Sequence, residues 1–145
     1  LFRGLPDQVR EHVTLTGWLS DQALQREMAV ADAFVLLRSD DRESRALFPT
    51  RLPEYLSTGK PVILSNAGDL AAYVEHGKSA YVVPAGDQPA ARAEALVHLA
   101  SHPGEARAIG RGGREALMRE FSQEALGPKL AQFLSGLRIR GTDAI

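Results

Sequence analysis

Leu47–Ser65 reads LFPTRLPEYLSTGKPVILS, and its order of residue types sets out a loop, a short helix, a stop and a buried strand without a gap. Thr50 is a residue type that caps helix starts, and Pro53 falls in the first turn, where its missing N–H has no intrahelical partner to lose. Leu52, Tyr55 and Leu56 share one face at i, i+3 and i+4, which turns Glu54 to another side of the helix and leaves its carboxylate for a ligand. Gly59 supplies a left-handed helix end. Lys60-Pro61 then breaks the chain before the apolar run Val62, Ile63 and Leu64.

Outward from this stretch the same alternation repeats. Upstream, Val13-Thr14-Leu15-Thr16 alternates as a first strand that stops at Gly17. Ser20 is placed to cap a helix bearing Leu24, Met28 and Ala31, with Asp21 in its first turn. Ala33 to Leu37 is a continuous apolar run of the kind that suits a central strand covered on both faces. Arg38 to Ala46 reads as a solvated polar loop. Downstream, Asp69 to His76 reads as a short helix closed by Gly77, and Ala80-Tyr81-Val82-Val83 as a fourth strand. Helical periodicity follows from Pro89 to Ala100, from Pro103, and from Phe121-Ser122 onward. In the last of these, Leu126, Leu130, Phe133 and Leu134 form a stripe expected to dock on the sheet. The fold class is therefore α/β, a Rossmann-like doubly wound parallel sheet of at least four strands, with any ligand in the crevice beyond the carboxyl ends of the strands. Gly17, Ser39, Asn66 and the loop after Val83 are expected there. Residues 1–137 are read as one domain and 138–145 as a flexible tail.

Composition narrows the function classes. The chain has 145 residues, 44% of them apolar, which suffices for one domain with a real core. Seventeen basic and eighteen acidic side chains leave a net charge of −1, so no global field draws nucleic acid. Cysteine is absent, which removes disulfides, thiolate metal sites and cysteine nucleophiles and agrees with a reducing, cytoplasmic setting. No apolar run has membrane-spanning length, and the first residues lack the layout of a signal peptide. The sequence starts at Leu1 without methionine and reads as a piece of a longer protein.

The chemistry centres on the loop before Glu54. Dinucleotide, triphosphate, zinc-protease and hydrolase fingerprints are missing. His98 and His102 have i, i+4 spacing but straddle a helix end at Pro103 with no cysteine or carboxylate grouping, so no metal site is read here and no cofactor is expected. The junction from Pro49 through Thr50 and Arg51 to Leu52 offers backbone N–H groups and a guanidinium suited to a phosphate. An ordinary capped helix would look the same. Glu54 is a natural acceptor for the vicinal hydroxyls of a ribose. Trp18 could line a base pocket or belong to the core.

FPTRLPEYLSTGKPVI resembles the signature of the C-terminal half of GT-B glycosyltransferases of the large retaining group called family four, or glycosyltransferase group 1. Phe48, Pro49, Thr50, Arg51, Glu54, Tyr55, Gly59, Lys60, Pro61, Val62 and Ile63 all match that pattern. The flanks agree in Val13-Thr14-Leu15-Thr16-Gly17, in Ala31-Asp32-Ala33-Phe34-Val35 and in Gly86-Asp87. The resemblance covers nearly the whole chain.

It implies a nucleotide-sugar donor site with the base near Gly17 and Trp18, the ribose on Glu54, and the diphosphate at the N–H groups of Thr50 to Leu52. It further implies hexosyl transfer, with retention and without an essential metal, in polysaccharide-type biosynthesis. The acceptor would be held by an N-terminal GT-B domain absent from this sequence, and any membrane contact would be peripheral and through that half. The fuller family pattern carries a second, upstream glutamate, and Ala46 stands in its register here; Glu43 lies in the same loop but out of register. Two other readings stay open: a degenerate domain that binds nucleotide sugar without catalysis, and a sugar-nucleotide epimerase of the same architecture.

Overall fold

The computed structural model describes residues 6–39, 41–86 and 88–137. The chain divides into two compact units, residues 1–30 and 31–145. The first contains α1 (Asp7–Arg10) and α2 (Asp21–Val30). Ser20 caps α2 as its sequence predicts: its hydroxyl accepts from Ala23 N–H at 3.4 Å and its carbonyl from Leu24 N–H at 2.9 Å. The predicted strand Val13–Thr16 is not formed. These residues join no ladder, and Leu15 is 69% exposed. Alternation is only a weak prior for a strand, which forms where neighbouring backbone and a packed face complete it.

In the second unit come β1 (Phe34–Leu36), α3 (Arg42–Ala46), α4 (Arg51–Ser57), β2 (Val62–Asn66), a 3-10 turn (Gly68–Ala72), β3 (Tyr81–Pro84), α5 (Pro89–Ser101), α6 (Pro103–Phe121) and α7 (Gln123–Gly136). The strands form a parallel sheet in the order β1-β2-β3, with Phe34 opposite Val62 and Ile63 opposite Tyr81. This is the α/β architecture expected, with three strands among the described residues rather than four. The run expected at the centre, Ala33 to Leu37, lies instead at an edge. β2 takes the middle place, and Val62–Ser65 are all buried.

Helices α5 and α6 cover the sheet through Ile63, Val83, Ala95, Leu99 and Ile109. Glycine lets α6 approach backbone directly. A Cβ on Gly110 would fall inside the contact radius of the Gly59 carbonyl, one on Gly112 inside that of the Lys78 carbonyl, and one on Gly113 within 2.8 Å of the Ser79 carbonyl. The glycines therefore seat α6 against the end of α4 and the loop before β3.

The expected docking of α7 on the sheet does not occur. Leu126, Leu130, Phe133 and Leu134 are 45–65% exposed, because α5 and α6 already occupy the sheet face and α7 contacts α6. The helix expected over Asp69–His76 is shorter, a single 3-10 turn. The polar run after β1 is not all loop, since α3 forms within it. Asp40, Asp87 and the tail expected from Arg138 lie outside the described residues. No helix among those described is long and apolar enough to cross a membrane.

Candidate donor-binding site

Helix α4 has the face predicted for it. Leu52 and Leu56 are fully buried, and the Tyr55 ring stacks on Phe34 with centroids 4.6 Å apart, tying the helix to β1. Glu54 consequently points away from the core, its side chain 54% exposed, and its nearest ionic neighbour is Arg51 at 3.9 Å. An exposed pair at that distance holds the carboxylate only weakly, so a ligand can take it without breaking a strong bond.

The helix ends differ from expectation at one side only. Gly59 takes φ +69° and closes the helix as a left-handed cap, with its N–H on the Leu56 carbonyl at 3.1 Å. At the start, Thr50 is already helical at φ −59° and ψ −20°, and its hydroxyl caps nothing. The turn is closed instead by Leu52 N–H donating to the Pro49 carbonyl at 3.0 Å. Of the three N–H groups expected to be free, those of Thr50 and Arg51 meet no acceptor among the described residues, whereas that of Leu52 is used. The phosphate arm is thus smaller than the sequence suggests.

The loop leading into α4 is fixed by contacts the sequence did not announce. Arg38 donates from its guanidinium to the Leu47 carbonyl at 2.7 Å, and from its backbone N–H to Ser65 Oγ at 2.7 Å. Phe48 sits edge-on to Tyr73 at 5.3 Å and against Phe121 at 5.6 Å, so the loop is anchored to the end of α6. Asp41 caps α3: its carboxylate accepts from Ser44 N–H at 2.7 Å and from the Ser39 hydroxyl. Those bonds, the Ser39 hydroxyl foremost, lower its pKa from 3.8 to about 2. Sequence could have flagged Asp41 as an N-cap ahead of a short helix; nothing in it singles out Arg38.

Between this loop and the 3-10 turn lies a cleft of about 170 Å³ lined by Arg45, Ala46, Phe48, Pro49, Asp69 and Tyr73. It opens at the carboxyl ends of β1 and β2, where ligands of open parallel sheets bind. Gly68 lets the 3-10 turn come close to α3: at φ +59° it is left-handed, and a Cβ there would meet the Ser44 and Arg45 carbonyls at 3.3 Å. Ala46 is among the residues lining this cleft, while Glu43 lies in the first turn of α3 and is exposed. Gly17 and Trp18 belong to the first unit; Gly17 is left-handed at φ +63°, and Trp18 is fully exposed.

The family model described as "Glycosyl transferases group 1" matches residues 2–102, a span that includes β1, α4, β2 and the cleft between them. The chain belongs to this glycosyltransferase family. It is 33% identical over 131 residues to the GDP-mannose-dependent alpha-(1-6)-phosphatidylinositol monomannoside mannosyltransferase of Mycobacterium tuberculosis, covering 88% of this chain and 34% of that protein. It is 30% identical over 129 residues to the amylovoran biosynthesis glycosyltransferase AmsK of Erwinia amylovora, covering 86% and 31%. Among solved structures, sucrose-phosphate synthase of Thermosynechococcus elongatus superposes with a TM-score of 0.74 at 25% identity, over 88% of this chain and 31% of that one. Anabaena HepE, solved with UDP-glucose, has the same fold at a TM-score of 0.64 and 22% identity, over 79% of this chain and 30% of its own. The chain spans about a third of the length of these relatives.

Proposed function

We propose that this chain is the donor-binding part of a hexosyltransferase, and that it holds a nucleoside diphosphate sugar with Glu54 on the ribose diol. The observation that carries the reading is the Glu54 carboxylate: exposed and weakly paired, on a helix held by the buried Leu52 and Leu56 and by the Tyr55 stack on Phe34 of β1, and inside the span shared with the family. The mycobacterial relative is named for GDP-mannose and HepE was solved with UDP-glucose. Base and sugar differ between them, and the ribose diphosphate is common to both, which is the part Glu54 addresses.

In this proposal the donor diphosphate meets the N–H groups of Thr50 and Arg51 and the Arg51 guanidinium beside Pro49 and Leu52. The acceptor is held by a further domain outside this sequence, transfer proceeds with retention, and the enzyme works in the cytoplasm. Titration of a nucleoside diphosphate into wild type and Glu54→Gln tests it. The variant keeps the shape and removes the charge, so it should bind about ten- to a hundredfold more weakly, the cost of about 1.5–3 kcal/mol for a hydrogen bond to a charged group. Unchanged affinity would refute the assignment.

A second reading rests on one observation. Ala46, which stands where the family pattern has a glutamate, lines the cleft, and this favours a degenerate domain that binds the donor without transferring its sugar. Turnover by the full-length protein with a nucleotide-sugar donor excludes that reading; donor binding without turnover supports it.

A further inference from the structure

We propose that His98, His102 and Glu105 form a binding site for a zinc-type divalent ion at the corner between α5 and α6. One nitrogen of each imidazole and one carboxylate oxygen lie within 4.8 Å of one another. His98 Nε2 is 2.9 Å from Glu105 Oε2, and the two imidazole rings stack with centroids 4.4 Å apart. The break at Pro103, which makes the spacing of the two histidines look unpromising in sequence, is what brings Glu105 to them: α6 starts at once after α5 and turns its first-turn carboxylate back onto His98.

Hydrogen bonding prepares the donors. His102 Nδ1 is 2.8 Å from the His98 carbonyl; a carbonyl only accepts, so Nδ1 carries the proton and Nε2 keeps its lone pair. Ligating histidines characteristically hold their second nitrogen in this way, which fixes the tautomer; the stacked rings turn apart on binding to aim both lone pairs at one ion. The Tyr81 ring, 5.5 Å from that of His98, steadies the other imidazole. Tetrahedral zinc with bonds of about 2.0–2.2 Å needs donors roughly 3.3 Å apart. An ion replacing the proton between His98 and Glu105 therefore widens that contact by only a few tenths of an ångström. Two imidazoles and one carboxylate without thiolate suit zinc, cobalt or nickel rather than magnesium or calcium, and leave a fourth position to water.

The site is remote from the proposed donor chemistry. α5 leaves the carboxyl end of β3 and packs back along the sheet, so its last turn lies at the amino ends of the strands. There a cavity of about 500 Å³ is lined by Ala33, Pro61, Leu99 and Pro103. The ion would act as a clamp on the α5–α6 corner.

Isothermal titration of the full chain with zinc chloride in a non-coordinating buffer, at a pH where imidazole is neutral, tests this. One equivalent should bind. Each of His98→Gln, His102→Gln and Glu105→Gln should weaken it by at least about tenfold, the cost of losing even an outer-shell partner of a metal, whereas His12→Gln should leave it unchanged. Cobalt on the unaltered chain gives a readout independent of variant folding, since a low-coordinate site shows intense visible absorption that zinc abolishes. Absence of stoichiometric zinc binding, equal affinity in the three variants, or only the weak spectrum of hydrated cobalt would overturn the proposal.

Discussion

Glu54 and Asp41 are both exposed carboxylates, yet their surroundings prepare them for different work. Asp41 is engaged by the Ser39 hydroxyl and by Ser44 N–H, and its pKa falls to about 2. Its folded-state pKa lies below the unfolded value, so its contribution to stability is present above the unfolded pKa and is lost as pH falls from about 4 toward 2. Thermal melts across that window should therefore show a shallower pH dependence in Asp41→Asn than in wild type; identical slopes would remove the cap from the account. Among the described residues Glu54 has no such engagement beyond a 3.9 Å pair with Arg51, which in the proposed function leaves its charge to a ligand. Sequence displayed Glu54 because helical spacing separated it from Leu52, Tyr55 and Leu56. It hid the part played by Arg38, whose bonds to the Leu47 carbonyl and Ser65 hydroxyl depend on chain segments meeting in space.

At the scale of elements, α4, β2 and α6 form the firm centre. Adding a methyl group at Gly110 drives it into the Gly59 carbonyl, which is backbone and cannot swing aside. Gly110→Ala should thus destabilise by about 1–3 kcal/mol, in the range of overpacking, despite the better helix propensity of alanine. Chemical denaturation checks it, and an unchanged midpoint would contradict the close seating of α6. Leu56→Ala, at a fully buried position, should cost about 2–5 kcal/mol. By contrast Leu130→Ser or Phe133→Ser, on the exposed face of α7, should stay within about 0.5 kcal/mol in this chain. The periodicity of α7 was legible, but not its destination, because an apolar stripe says that a helix has a face and not which surface is vacant. Val13–Thr16 failed for a related reason: four alternating residues name a candidate strand, and pairing decides it.

For the whole molecule, β2 and its flanks were readable because a buried parallel strand must be apolar throughout, and Val62 to Leu64 are. The edge position of β1 was not readable, since it depends on which neighbours pair. The chain spans about a third of its relatives, and with only the N–H groups of Thr50 and Arg51 left without an acceptor among the described residues at the start of α4 it offers little to a diphosphate. It should therefore bind a nucleoside diphosphate by itself with a dissociation constant above about 1 µM; submicromolar affinity by calorimetry would mean that the site is already complete. The most direct measurement is a paired titration with a ribonucleoside diphosphate and its 2′,3′-dideoxy analogue, for wild type and Glu54→Gln. The analogue should bind wild type about tenfold or more weakly than the ribonucleotide, and this difference should collapse in Glu54→Gln. Equal affinity of wild type for the two ligands would contradict the placing of Glu54 on the ribose diol.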